Sequence, residues 1–152
     1  MKEVIKQFVS IKMVNKLLVS TILATCSILA QAQNFLPDMM AFKATANMKD
    51  KNTLEVIWTI EPGYKMYKKS LSFVSQGNVV LGSPEIPKGK VEFNQALGET
   101  IEQFDTTINI TIPVTSKGNF KLIAKGQGCA NAGLCYPPFE RVLELKELKK
   151  VK

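Results

Sequence analysis

Leu54, Val56, Trp58 and Ile60 alternate with Thr53, Glu55, Ile57 and Thr59, so one face of residues 53–60 is wholly apolar. A period of two puts alternate side chains on one face of a β-strand. The run stops at Glu61-Pro62-Gly63, where proline fixes φ and glycine permits a reversal. Further short runs at 70–74, 78–81, 90–93, 107–114, 119–124 and 141–145 read as strands. Gly77-Asn78, Pro87-Lys88-Gly89 and Lys117-Gly118-Asn119 separate them. No stretch after residue 33 carries apolar positions at helical spacing. Seven or so short strands with turns at roughly 8 to 15-residue intervals predict an all-β fold, an antiparallel β-sandwich of immunoglobulin-like type. Trp58 then reads as plain core, since the usual cross-core disulfide of such sandwiches is missing.

The first 32 residues follow a different pattern. Lys2, Lys6, Lys12 and Lys16 precede an apolar run over 17–30, and Ala30-Gln31-Ala32 has the small-x-small form of a signal-peptidase site. The reading is a signal peptide over 1–32, cleaved between Ala32 and Gln33, with either Met1 or Met13 as the start. Leu23-Ala24-Thr25-Cys26 loosely resembles a lipoprotein box, but bulky Thr25 and the apolar run continuing past Cys26 disfavour lipidation there. The expected product is a periplasmic or otherwise exported monomer. It has no later stretch approaching the roughly 20 apolar residues that span a bilayer.

Of the chain's net charge of +7, residues 1–32 carry +3, which leaves +4 on residues 33–152. That is one domain's length, with a basic tail from about residue 146 that reads as a solvated end. Because no basic block is interleaved with aromatics, nucleic acid is not expected as a partner. Met39, Met40, Met48 and Met66 could suggest a Cu(I) carrier, as thioethers suit that ion. With no histidine, and only Met39-Met40 closely spaced, they read as core and loop packing, and no metal or cofactor is expected.

Past the cleavage site two cysteines remain, Cys129 and Cys135, six positions apart in Gly126-Gln127-Gly128-Cys129-Ala130-Asn131-Ala132-Gly133-Leu134-Cys135-Tyr136-Pro137-Pro138. An even count in an oxidising compartment predicts a disulfide, for which the segment must fold back. Gly128, Asn131 and Gly133 tolerate the left-handed angles of a tight reversal. Two readings stay open on these residues alone. Closing so small a loop stabilises by only about 2 to 2.5 kcal/mol, which a domain of this size needs little. A pair at the ends of a surface hairpin is also within reach of another protein's thiolate. The alternatives are an inert staple in a non-catalytic binding or structural sandwich, and an exchange-active pair.

The segment Gly128 through Pro138 resembles the cysteine loop of the amino-terminal periplasmic domain of DsbD, the thiol:disulfide interchange protein. Phe35-Leu36-Pro37 with Ala41-Phe42 resembles that domain's opening. Trp58-Thr59-Ile60 followed by Gly63-Tyr64-Lys65-Met66-Tyr67 resembles its Trp-x-Ile and Gly-Tyr-x-x-Tyr stretch, and Ile112-Pro113-Val114 resembles a strand before the cysteines. The resemblance runs over residues 35–145. It implies an immunoglobulin-like fold and a reversible Cys129/Cys135 disulfide, with Cys135 forming the intermolecular bond and Cys129 resolving it. The resemblance implies that Tyr64 and Tyr67 flank the sulfurs, the alternative being that they pack a strand corner, while Tyr136 supplies an aromatic beside Cys135 in the sequence. The implied role is an electron relay, a protein-disulfide reductase without a cofactor of its own. Its donor would be a membrane thiol reductase or thioredoxin-like protein, and its acceptors oxidised extracytoplasmic proteins, among them isomerases or cytochrome c maturation factors. The family's following membrane and thioredoxin-like domains are not in this sequence, so the reductant would come from a separate protein.

One departure concerns the loop that caps the cysteines in the family, matched here by Asn94-Gln95-Ala96-Leu97-Gly98. Ala96 and Leu97 stand where aromatics are expected, and Asn94 and Gln95 where carboxylates are. Amides in place of acids remove negative charge and ease thiolate formation, while the smaller side chains shield less. Asp38 is one position out of register with an acidic residue of the opening segment, so no role passes to it.

Overall fold

The computed structural model describes residues 34–94 and 98–146. The expected leader, Cys26, the expected cap positions Gln95, Ala96 and Leu97, and the tail after residue 146 lie outside the described residues.

Among the described residues, one turn of helix, α1 (Asp38–Ala41), precedes eleven strands, a turn that the strand-only reading did not anticipate. The strands are β1 (Phe42–Met48), β2 (Thr53–Ile60), β3 (Tyr64–Tyr67), β4 (Ser72–Gln76), β5 (Val79–Leu81), β6 (Lys90–Asn94), β7 (Glu99–Phe104), β8 (Ile108–Ser116), β9 (Phe120–Gly126), β10 (Gly128–Ala130) and β11 (Phe139–Leu145). A 3-10 turn at Lys68–Ser70 joins β3 to β4. All pairings are antiparallel, in three sheets ordered β1-β2-β8-β5, β10-β3-β7-β6 and β11-β9-β4.

The alternation of β2 sets the core. Leu54, Val56 and Trp58 lie opposite Ile112, Ile110 and Ile108 of β8, and all six side chains are buried. Phe120, Leu122 and Ala124 of β9 are buried in the same cluster, and Phe42 stacks on Phe139 of β11 with ring centroids 4.9 Å apart. Each large apolar side chain buried this way contributes about 1.5 to 3 kcal/mol. Trp58 fills the centre with its indole Nε1 unpartnered among the described residues. The methionines divide: Met66 is fully buried and Met48 packs against the core, whereas Met39 and Met40 on α1 are exposed. Asp38 pairs with Arg141 at 3.0 Å, tying α1 to β11.

The chain crosses between the second and third sheets twice, and the second crossing brings Cys129 to a sheet edge. The chain passes from β3 through the 3-10 turn into β4, and from β9 through Gln127 into β10. The two bends are tied together. Tyr67 donates its N–H to the Gln127 carbonyl at 3.0 Å, and the Ser70 hydroxyl accepts the Gln127 N–H at 2.8 Å. Among the described residues, no helix is long and apolar enough to cross a membrane.

Candidate functional site

β10 is three residues long and forms one edge of its sheet, with Gly128 opposite Met66, Cys129 opposite Lys65 and Ala130 opposite Tyr64. A Cβ at position 128 would lie 2.4 Å from the Lys65 carbonyl oxygen and 2.6 Å from the Phe42 ring. Only glycine therefore lets β10 close onto β3 at this point. Past Ala130 the chain reverses: Gly133 donates to the Ala130 carbonyl at 3.0 Å, Ala130 to Leu134 at 2.7 Å and Tyr136 to Gly128 at 3.0 Å. Gly133 has φ +104, the left-handed region that favours glycine. Gly128 and Asn131 do not adopt such angles, which corrects the expectation that all three residues serve the reversal. Gly128 is needed for close approach, and Asn131 is anchored through its N–H on the Gly63 carbonyl at 2.8 Å.

Cys129 and Cys135 are joined by a disulfide, with Cα atoms 4.0 Å apart. The two ends differ sharply. Cys129 is 2% exposed, packed with Tyr67 and Ile101, whereas Cys135 is exposed. The expectation that both lie near the surface thus holds for Cys135 alone. The Tyr67 hydroxyl sits 2.9 Å from Cys129 Sγ in a buried contact. A disulfide sulfur carries no proton, so in this state the phenol donates.

Tyr64 and Tyr136 do something different from Tyr67. Tyr136 donates its hydroxyl to the Leu36 carbonyl at 2.6 Å, and Leu36 donates its N–H to the Tyr64 hydroxyl at 2.8 Å. Both rings meet Phe42 edge to face, at centroid distances of 5.8 Å for Tyr64 and 5.6 Å for Tyr136. They clamp the opening segment at Leu36, Tyr136 doing so from the position that follows Cys135. Burial, and then the neighbouring Tyr64 hydroxyl, hold the Tyr136 phenol above its ordinary pKa. The Gln127 side chain adds a strap, donating Nε2 to the Tyr136 carbonyl at 3.2 Å.

Asn94 ends β6 opposite Glu99 of β7, and Gly98, at φ +66, begins the return of that hairpin. From the same hairpin Ile101 packs with Tyr67 and Cys129, a contact the sequence reading missed. Gln103, opposite Tyr67, is also buried. Its Nε2 donates to Glu92 at 2.6 Å, while its Oε1 is buried without a donor among the described residues. Glu92 also pairs with Lys90 at 2.5 Å, and that hydrogen bond lowers the Glu92 pKa and raises that of Lys90. Lys68, with help from the Gly89 N–H, likewise lowers Glu102. Among the described residues, no group of three or more His, Cys, Asp or Glu side chains is arranged to hold a metal.

These features define an immunoglobulin-like β-sandwich with a disulfide-closed hairpin on a sheet edge, one cysteine buried and the other exposed. The chain belongs to the family described as "Thiol:disulfide interchange protein DsbD, N-terminal", which matches residues 32–147. It is 34% identical over 116 residues to DsbD 2 of Pseudomonas aeruginosa, covering 76% of this chain and 19% of that protein. To DsbD of Ralstonia nicotianae it is 34% identical over 121 residues, covering 78% and 20%. The match to DsbD of Photorhabdus laumondii is 38% over 113 residues, covering 73% and 19%. The similarity thus spans about a fifth of each of these relatives.

Among solved structures, the chain superposes on the Neisseria meningitidis DsbD N-terminal domain in the reduced form. The TM-score is 0.64 at 24% identity, over 77% of this chain and 94% of that one. It also superposes on the complex between the DsbD N-terminal and PilB N-terminal domains of the same organism. There the TM-score is 0.62 at 26% identity, over 74% and 88%.

Proposed function

We propose that residues 33–152 form a single exported thiol-disulfide exchange domain that relays two electrons through Cys129 and Cys135. The observation carrying this is the asymmetry of the pair: an exposed Cys135 bonded to a Cys129 that is buried and hydrogen-bonded to Tyr67. An inert staple has no need of one cysteine open to solvent and the other held by a phenol.

The step follows from that geometry. A thiolate of the donor protein attacks Cys135 Sγ, a mixed disulfide forms, and the intramolecular S–S bond breaks. Cys129 leaves as a thiolate that accepts the Tyr67 hydrogen bond. The donor's second thiolate then attacks its own half of the mixed disulfide and expels Cys135. The donor is now oxidised and this domain is a dithiol. Towards an acceptor the sequence runs in reverse. Cys135 thiolate attacks the acceptor disulfide, and Cys129 then attacks Cys135 Sγ, closing the ring and releasing the reduced acceptor. The hairpin bonds and the Gln127 strap hold both cysteines in place while the S–S bond is open, which makes the resolving attack effectively intramolecular.

The donors fitting this chemistry are a membrane thiol reductase or a thioredoxin-like dithiol protein, and the acceptors are oxidised proteins outside the cytoplasm. Support for partners of this kind comes from the DsbD N-terminal domain of Neisseria meningitidis, which forms a complex with the PilB N-terminal domain. The proposed compartment is the periplasm or another exported location, reached by cleavage between Ala32 and Gln33. Incubating the oxidised domain with a reduced thioredoxin-like protein tests the function. Two alkylatable thiols should appear at Cys129 and Cys135, and a disulfide left intact by protein dithiols would overturn the reading.

A further inference from the structure

Lys65 lies directly opposite Cys129 in the β3–β10 ladder. Antiparallel partners present their side chains on the same face with Cβ atoms about 4.5 to 5.5 Å apart. The other lysines on this sheet and its turn are engaged: Lys68 with Glu102 at 2.8 Å, Lys90 with Glu92 at 2.5 Å, and Lys69 with Glu99. Lys65 forms no ion pair with a described residue.

The other described groups on that face form no ion pair with it. From β3 comes the neutral Tyr67 phenol, and from β7 the neutral Ile101 and Gln103 and the Glu99 carboxylate, which is held by Lys69. Asp105, one residue past the Met66–Phe104 pair and so on the Lys65 side, also acts on Lys90. From β6 come Lys90 and Glu92, which neutralise each other, with the Gln103 amide also on Glu92. Lys65 acts on Glu92 through space alone, behind Lys90 among the groups that lower that carboxyl. The residues between the two cysteines, Ala130 to Leu134, carry no charge.

We infer that Lys65 tunes the exchange by supplying positive charge to the Cys129 thiolate as it leaves. This rests on the exchange reading above. The leaving sulfur is buried, and burial disfavours a thiolate unless an opposite charge or a donor favours it. Tyr67 provides the donor and Lys65 the charge. A leaving thiol of lower pKa leaves faster, so Lys65 speeds opening of the bond by any attacking thiolate and lowers the pH at which Cys129 ionises. Electrons come from the attacking dithiol, and the lysine keeps its proton throughout.

Two measurements on the full chain test this. Opening of the oxidised protein by dithiothreitol is followed for the parent, Lys65→Met, Lys65→Glu, Lys65→Arg and Lys121→Met, the last removing a lysine on a different sheet. The pH midpoint of Cys129 alkylation is measured in a Cys135→Ala background, with and without the Lys65→Met change. Melting temperatures confirm that each variant is folded. Opening should slow in Lys65→Met and slow further in Lys65→Glu, with Lys65→Arg and Lys121→Met close to the parent. The alkylation midpoint should rise in Lys65→Met. Equal opening rates and an unmoved midpoint would overturn the inference, as would equal slowing by Lys121→Met. If dithiothreitol opens none of the proteins, the exchange reading fails instead, and the alkylation midpoint still decides the role of Lys65.

Discussion

The phenol of Tyr67 and the sulfur of Cys129 meet at 2.9 Å although 62 positions separate them in the chain. This contact exists because β3 and β10 pair in a register that sets Cys129 opposite Lys65, two residues along the same face from Tyr67. The aromatic neighbour of the buried sulfur is therefore fixed by strand pairing, and Tyr64, three residues earlier, faces the core instead.

Tyr67→Phe keeps the ring and removes the hydroxyl. The protein should lose about 1 kcal/mol, the typical net value of one buried hydrogen bond, in chemical denaturation of the oxidised form. Opening by dithiols should slow several-fold, because the leaving Cys129 thiolate loses its donor. An unchanged opening rate in a folded variant would leave the phenol with packing alone.

Gly128→Ala should be among the most damaging changes of a single methyl group here. The new Cβ meets the Lys65 backbone and the Phe42 ring at under 3 Å, and neither can swing away. Overpacking of this kind costs about 1 to 3 kcal/mol or more, and it prises β10 from β3. Thermal melts should show the loss, and the Tyr67–Cys129 contact should weaken with it.

Replacing both cysteines by serine removes the covalent link and leaves the hairpin's backbone bonds in place. The loss should be about 2 kcal/mol in the chain-entropy picture, and the domain should stay folded. Unfolding of the double variant would show that the disulfide is a structural requirement.

Stability at alkaline pH should depend on Tyr136. Its phenol pKa is raised in the folded state, first by burial, so the neutral form that donates to Leu36 is the favoured one. The contribution is fully present below the ordinary tyrosine value of about 10 and is lost as pH climbs through the folded value. Tyr136→Phe should be less stable than the parent at neutral pH, and the difference should shrink above about pH 10 in denaturation series.

The strands with strong alternation were legible in the sequence, β2 and β8 most of all, because Leu54, Val56 and Trp58 oppose an equally regular isoleucine face. Four strands were not. β1 turns Phe42, Ala44, Ala46 and Met48 to one side, but two alanines give little contrast with their polar neighbours. β7 carries Gln103 on its buried face, which breaks the period where Ile101 would have announced it. β3 buries three of four residues, and β10 is only Gly128, Cys129 and Ala130, so neither is long enough to show a period. The cysteine pair was legible from its spacing. The asymmetry between its sulfurs, and the places of Ile101, Gln103 and Lys65 beside it, come from cross-strand register, which no local pattern encodes.

The most direct test compares the two single-cysteine variants against a dithiol partner protein. Cys129→Ser, which retains the exposed Cys135, should accumulate a mixed disulfide with an oxidised or activated thioredoxin-like protein. Cys135→Ser, left with the buried Cys129, should form little or none at equal concentration while remaining folded. Equal adduct formation by both, or adducts formed only through Cys129, would contradict the account.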